Sequence, residues 1–217
     1  VNPIEIASGY TVFANGGYKI EPFFIDRIEN FNDGEVFQAQ PSTVCETCTI
    51  SPEVSDIGES SLIADDTPAE LGNINSAPRV IDERVAYIMN TILRSVITDG
   101  SGRQVSRDIN RQDLAGKTGT TNEQFDLWFS GFNKNLVTTV YVGFDQPRSL
   151  GSNEQAATVA LPIWIDYMKE VLEGTPEQSM TQPNGLVTLR INRDTGLRAQ
   201  PDEANSVFEV FRTENVP

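Results

Sequence analysis

The chain has 217 residues, 38% hydrophobic and 22% charged, an ordinary balance for a globular protein large enough to bury a real core. Its formal charge of −15 denies nucleic acid or an anionic membrane surface the cationic field that binding needs. With no histidine at all, Ser-His-Asp and Cys-His nucleophile systems and the commonest metal ligand are excluded.

The first element is a helix. Asn2 can cap it, Pro3 suits its first position, and Glu5 completes a capping box. Ile4, Ile6, Ala7, Tyr10 and Phe13 give it an apolar face, and Asn15-Gly16-Gly17 ends it. Ile20 to Ile28 then reads as a strand, with Val36 and Phe37 as its hairpin partner around an Asp33-Gly34 turn. From Gln40 to Ala77 the periodicity disappears among proline, glycine and acidic residues. That composition predicts a long mobile insertion with no chemistry of its own.

Cys45 and Cys48 fall at the start of this insertion. Zinc needs about four ligands, and there is no second pair and no histidine. A redox pair belongs where a strand feeds a helix, whereas Pro41-Ser42-Thr43 and Thr49-Ile50-Ser51-Pro52 read as loop. A small local disulfide, or two idle thiols, is the simpler reading; a disulfide would need an oxidising compartment. No cofactor is implied.

Order returns at Asp82, a helix cap. Ile81, Val85, Ile88, Met89, Ile92, Leu93 and Val96 recur at helical spacing, and Gly100 and Gly102 close the helix. The breadth of that stripe predicts a central core helix. Further on, Asp126–Phe132 and Leu136–Phe144 flank Asn133-Lys134-Asn135, which reads as an antiparallel hairpin. A helix is predicted from Asn153 to Gly174, with Pro162 in its first turns or at a kink. Its two stripes, Ile163/Tyr167/Val171 and Trp164/Met168/Leu172, both read as core. The tail reads as a second hairpin: Leu186 to Ile191, a turn at Arg193–Gly196, then a return from Leu197. No stretch approaches the ~20 apolar residues of a bilayer span, and no signal peptide opens the sequence, so a leader or anchor would belong to a preceding part of a longer polypeptide. The element order predicts an α+β fold, an antiparallel sheet with flanking helices.

Between the second helix and the first hairpin lies Gly116-Lys117-Thr118-Gly119-Thr120-Thr121. A phosphate loop would need glycine five residues before Gly116, where Arg111 stands. On a strand, Lys117 and Gly119 share one face and Thr118 and Thr120 the other. Gly119 opens space for a close approach, and an edge strand leaves backbone groups free for an extended peptide. Lysine, hydroxyls and bare N–H groups together suit a carboxylate and a carbonyl. These residues predict an anion-recognising edge strand paired with Asp126–Phe132.

"DLAGKTGTTNEQFDLWFSGFNKNLVTTVYVGFD" resembles the third active-site motif of penicillin-binding proteins and the hairpin after it. "NPIEIASGYTVFANGGYKIEPFFI", "ALPIWIDYM" and "GLVTLRINRDTG" are similar to other parts of the class A, bifunctional members. The resemblance implies the C-terminal portion of a penicillin-binding/serine β-lactamase-like transpeptidase fold. Residues 1–182 would belong to it, with the insertion at 40–77, and 183–217 would form a hairpin tail.

In that family a serine attacks the carbonyl of a D-Ala-D-Ala stem peptide or a β-lactam, and an amine from a second stem peptide resolves the acyl-enzyme. By resemblance, Lys117 supplies charge and a hydrogen bond to the second-motif serine. Thr118 and Thr120 hydroxyls hold the terminal carboxylate, the Thr120 N–H is half of the oxyanion hole, and Gly119 lets substrate lie against the strand; Thr121 and Asn122, beside them, are further substrate-binding residues by the same resemblance. No serine here is followed three residues later by lysine, and none has asparagine two residues on. The resemblance therefore implies a nucleophile in an upstream part of the same polypeptide, in a periplasmic protein anchored in the bacterial inner membrane. A serine β-lactamase or D,D-carboxypeptidase fragment, or a non-catalytic wall-binding module, are the alternatives.

Overall fold

The computed structural model describes residues 1–31, 34–45 and 75–217. They divide into two compact units, Ile20–Pro78 and the remainder, formed by Val1–Lys19 with Arg79–Pro217. No helix among the described residues is long and apolar enough to cross a membrane.

In the larger unit, helix α1 spans Pro3–Ala14. The Asn2 side chain accepts from the Glu5 N–H, and Glu5 reaches back to the Asn2 N–H, so the expected capping box is complete. Helix α2 spans Glu83–Thr98, with Asp82 accepting from the Arg84 N–H as its cap. Only Ala86, Leu93 and Ile97 of α2 are fully buried, and Ile92 is 49% exposed, so its stripe is narrower than the spacing suggested. A five-residue helix that the sequence did not announce, α3 (Gln104–Asp108), follows the glycine turn and buries Val105.

Strands β3 (Ala115–Thr120), β4 (Asp126–Phe132) and β5 (Val137–Gly143) form an antiparallel sheet in the order β3-β4-β5. Lys117 pairs with Ser130 and Gly119 with Trp128, while Trp128 pairs in turn with Tyr141. Helix α4 (Ala160–Val171) covers one face: Trp164 is buried against Phe129 and donates its indole N–H to the Thr138 carbonyl at 3.1 Å. Leu93, Ala115 and Phe132 pack with Tyr10, Phe13 and Ala14 of α1 on the other face.

Two expectations about α4 are corrected. Asn153–Val159 forms turns, and the helix begins at Ala160; Pro162 lies in its first turn, where no N–H is required. Trp164 and Met168 are fully buried, but Ile163, Tyr167 and Val171 are 50%, 47% and 37% exposed. Both stripes have helical spacing, yet only one can face the sheet.

The tail hairpin pairs β6 (Leu186–Asn192) with β7 (Ser206–Arg212). The return strand thus begins at Ser206, not Leu197; Arg198 makes only an isolated bridge to Ile191. The Arg190 guanidinium donates to the carbonyls of Pro201 and Glu203, drawing the intervening chain into a loop. Arg84–Glu214 and Arg212–Asp82 contacts tether this hairpin to the start of α2.

In the smaller unit, β1 (Arg27–Asn30) and β2 (Gly34–Gln38) form an antiparallel hairpin with a bulge after Ile28. The strand expected from Ile20 therefore starts only at Arg27. Pro22 cannot donate to a ladder, and β2 offers no partner to the residues before Asp26. Asp33 of the expected turn lies outside the described residues. So do Cys48 and most of the stretch expected to be a mobile insertion; its described ends meet, with the Thr43 N–H donating to Asn75 O and the Ala77 N–H to Thr43 O, both at 2.9 Å. Cys45 is disulfide-bonded.

Candidate functional site on the edge strand

Strand β3 is the edge of its sheet, as its lysine-threonine-glycine sequence led us to expect. The Thr121 N–H donates to Asp126 O at 3.0 Å, which makes that pair hydrogen-bonded across the ladder. Antiparallel pairs alternate between bonded and non-bonded, so in this register Lys117 and Gly119 direct their backbone groups to β4. Thr118 and Thr120 direct theirs away from β4, toward the side of β3 that carries no strand. Two N–H donors and two carbonyls thus lie along the edge, the pattern with which an extended ligand pairs.

The side chains sort as predicted. Lys117 is exposed on the face it shares with Ser130 and Trp128, and its Nζ donates to the Thr118 carbonyl at 3.1 Å. Gly119 lies over Trp128; a Cβ there would sit 3.3 Å from the Trp128 Cβ. A side chain at this position would therefore crowd Trp128 on the neighbouring strand. Trp128 packs on Tyr141 with ring centroids 4.5 Å apart and planes tilted by 43°, and the Tyr141 hydroxyl donates to Asp126 at 2.9 Å. That hydrogen bond, then burial and the negative charge of the carboxylate, push the Tyr141 phenol up.

Thr118 and Thr120 face the α4 side of the sheet. Thr120 Oγ1 accepts the Ala156 N–H at 3.2 Å, which leaves its own proton free to donate. Thr118 Oγ1 lies 2.8 Å from Ser101 Oγ, in the glycine turn after α2. Nothing in the one-dimensional pattern marks Ser101, which is seventeen residues from Thr118; Gly100 and Gly102 on either side of it carry only the signature of a helix terminator.

Thr121 has a different position from its neighbours. Its hydroxyl accepts the Asp126 N–H at 2.8 Å and closes the β3–β4 connection. Asn122 is exposed in that connection, where Glu123 and Gln124 both adopt positive φ, 59° and 54°. Consecutive left-handed non-glycine residues are costly and mark a turn held by its surroundings. The Leu150 N–H, donating to the Gln124 carbonyl at 2.9 Å, is one such hold. The edge strand, the lysine and the hydroxyls are brought together; Cys45 belongs to the other unit. Among the described residues no cluster of side chains could hold a metal ion.

Comparison with known proteins gives this arrangement its context. Residues 1–164 match the family model of the penicillin binding protein transpeptidase domain. The chain is 44% identical to penicillin-binding protein 1A of Pseudomonas aeruginosa, an alignment that covers 100% of this chain and 28% of that protein. It is 34% identical to penicillin-binding protein 1A of Escherichia coli, covering 96% of this chain and 30% of the relative. The crystal structure of penicillin-binding protein 1A from Haemophilus influenzae matches with a TM-score of 0.82 at 34% identity, over 100% of this chain and 32% of that one. The D,D-transpeptidase domain of a peptidoglycan glycosyltransferase from Eggerthella lenta, at 18% identity and a TM-score of 0.51, shares the fold. The chain thus spans about a third or less of the length of these relatives. Its α+β architecture is that of the matched domain, and the chain belongs to the penicillin-binding protein transpeptidase family.

Proposed function

We propose that this chain supplies the substrate-docking edge of a serine-type peptidoglycan D,D-transpeptidase. The observation that carries the proposal is the edge position of β3, with the Thr118 and Thr120 backbone groups facing away from β4. A stem peptide ending in D-Ala-D-Ala lies alongside β3 as an added strand. Its terminal carboxylate accepts hydrogen bonds from the Thr118 and Thr120 hydroxyls, and the Lys117 ammonium lowers the electrostatic cost of bringing that anion in. The Thr120 N–H donates to the carbonyl oxygen as negative charge develops on it, half of an oxyanion hole. The bare Gly119 position keeps the strand surface flat for the peptide. Thr121 and Asn122 act one step back, by shaping the turn that ends β3.

The attacking serine and its base lie in another part of the polypeptide, since no Ser-x-x-Lys occurs in these residues. The enzyme works outside the inner membrane, in the periplasm, where a disulfide at Cys45 and Cys48 is stable. Residues 1–182 form the transpeptidase part, the 40–77 insertion carries no chemistry, and 183–217 form an appended hairpin. β-Lactams occupy the same seat because they also present a carboxylate beside a reactive carbonyl.

Labelling of the full-length protein with a fluorescent penicillin tests the reading. A stable covalent adduct supports a transpeptidase. Rapid turnover of the adduct instead indicates a β-lactamase or D,D-carboxypeptidase, and no adduct at all indicates a non-catalytic wall-binding module.

A further inference from the structure

Ser101 is exposed and sits in a glycine turn, yet its hydroxyl lies 2.8 Å from that of Thr118 on a different element. The turn is not free to choose this position. The Gly100 N–H donates to Ser95 O at 3.1 Å and the Gly102 N–H to Val96 O at 2.9 Å, which wraps the turn onto the end of α2. A Cβ at Gly100 would lie 2.9 Å from both the Cα and the carbonyl oxygen of Val96. The Val105 N–H then donates to Gly102 O at 2.9 Å, and the fully buried Val105 side chain pins α3 into the core. Ser101 is therefore presented to β3 from a fixed support.

Two hydroxyls at hydrogen-bonding distance hold two protons between them. One proton bridges the pair; the other must look elsewhere. If Thr118 donates to Ser101, Thr118 has no proton for an anion. If Ser101 donates to Thr118, the Thr118 proton points outward, and the received bond makes it a better donor. A carboxylate arriving beside Thr118 and Thr120 selects the second arrangement. Thr120 is polarised in the same sense by the Ala156 N–H it accepts.

We infer that Ser101 is a positioning residue that orients the Thr118 hydroxyl toward the carboxylate of the substrate or β-lactam. This rests on the transpeptidase reading of β3 and adds to it a residue outside the lysine-threonine-glycine strand.

The test uses the full-length protein and two probes, a penicillin with its free carboxylate and the methyl ester of the same penicillin. Ser101→Ala should lower the acylation rate constant for the free acid roughly tenfold, the order expected for one hydrogen bond directed at an anion. It should leave the slower ester reaction unchanged, and Ser101→Thr should restore the free-acid rate. In a Thr118→Val background, Ser101→Ala should have no further effect, because the group through which it acts is gone. Equal losses for acid and ester would show that Ser101 only supports the fold, and wild-type rates for both would show that it does nothing; either overturns the inference while leaving the transpeptidase reading intact. A wild-type protein that neither probe acylates overturns the transpeptidase reading, and this inference falls with it.

Discussion

Arg111 and Asp113 close a two-bond fork, with Nε donating to Oδ1 at 2.9 Å and Nη2 to Oδ2 at 2.8 Å, around a carboxylate whose side chain is 0% exposed. The Gln178 N–H donates to the same carboxylate at 3.1 Å, and Arg111 also donates to the carbonyls of Thr175 and Pro176. The pair therefore ties the chain leaving α4 to the residues that lead into β3. Burial pushes the Asp113 carboxyl up, but the Arg111 hydrogen bonds, the Gln178 N–H and the guanidinium charge outweigh it and hold the group below its usual range. The folded value lies below the unfolded one, so the stabilisation is complete above about pH 4 and is lost as pH falls through the folded value. Asp113→Ala, which strands the arginine, should cost on the order of 3 kcal/mol at neutral pH. Urea unfolding at neutral and acidic pH checks this: the gap between wild type and variant should narrow on acidification.

At Gly131 the Trp164 ring of α4 lies directly against the sheet. A Cβ there would lie 2.6 Å and 2.8 Å from two Trp164 ring carbons and 2.9 Å from a Phe129 ring carbon. Both rings are fully buried, so neither can swing out into solvent to relieve the contact. Gly131→Ala should destabilise the protein by about 1–3 kcal/mol through overpacking. A melting temperature equal to that of wild type would show that α4 is less firmly seated than the packing indicates.

Thr120 offers a way to separate its hydroxyl from its backbone. Its N–H is directed away from β4, so proline at this edge position breaks no ladder bond. Thr120→Val removes the hydroxyl alone, whereas Thr120→Pro removes the N–H as well. In the full-length protein both should fold, as judged by circular dichroism. Acylation by penicillin should fall about tenfold in the first and by a further factor of about 100 in the second. Equal rates for the two variants would remove the Thr120 N–H from the oxyanion hole.

The 217-residue chain on its own should form no adduct with penicillin. Ser130 is the serine set opposite Lys117, but it is 3% exposed and its hydroxyl is shared with Thr139 at 3.0 Å. A buried hydroxyl without a base is a poor nucleophile. Intact-mass spectrometry after incubation with excess penicillin should show the unmodified mass. A stoichiometric increase that maps to a serine in these residues would place the nucleophile here after all.

Local chemistry was enough to read several elements directly from the sequence. Asn2, Pro3 and Glu5 specify the start of α1 because a helix N-terminus is satisfied by residues within one turn. The alternation of Lys117, Thr118, Gly119 and Thr120 specifies two faces because a strand has a period of two. What lay beyond the sequence was every choice that depends on a distant partner. The Ile163/Tyr167/Val171 stripe has the same spacing as the Trp164/Met168/Leu172 stripe, and only the position of the sheet decides which is buried. The return of the tail strand moves from Leu197 to Ser206 because Arg190 takes the carbonyls of a loop still to come. Ser101 has no signature of its own; it meets Thr118 because the end of α2, held by Gly100 and Gly102, is packed beside the edge of the sheet. Caps, faces and turns are fixed by neighbours in sequence, whereas burial and the hydroxyl pair at the edge strand are fixed by neighbours in space.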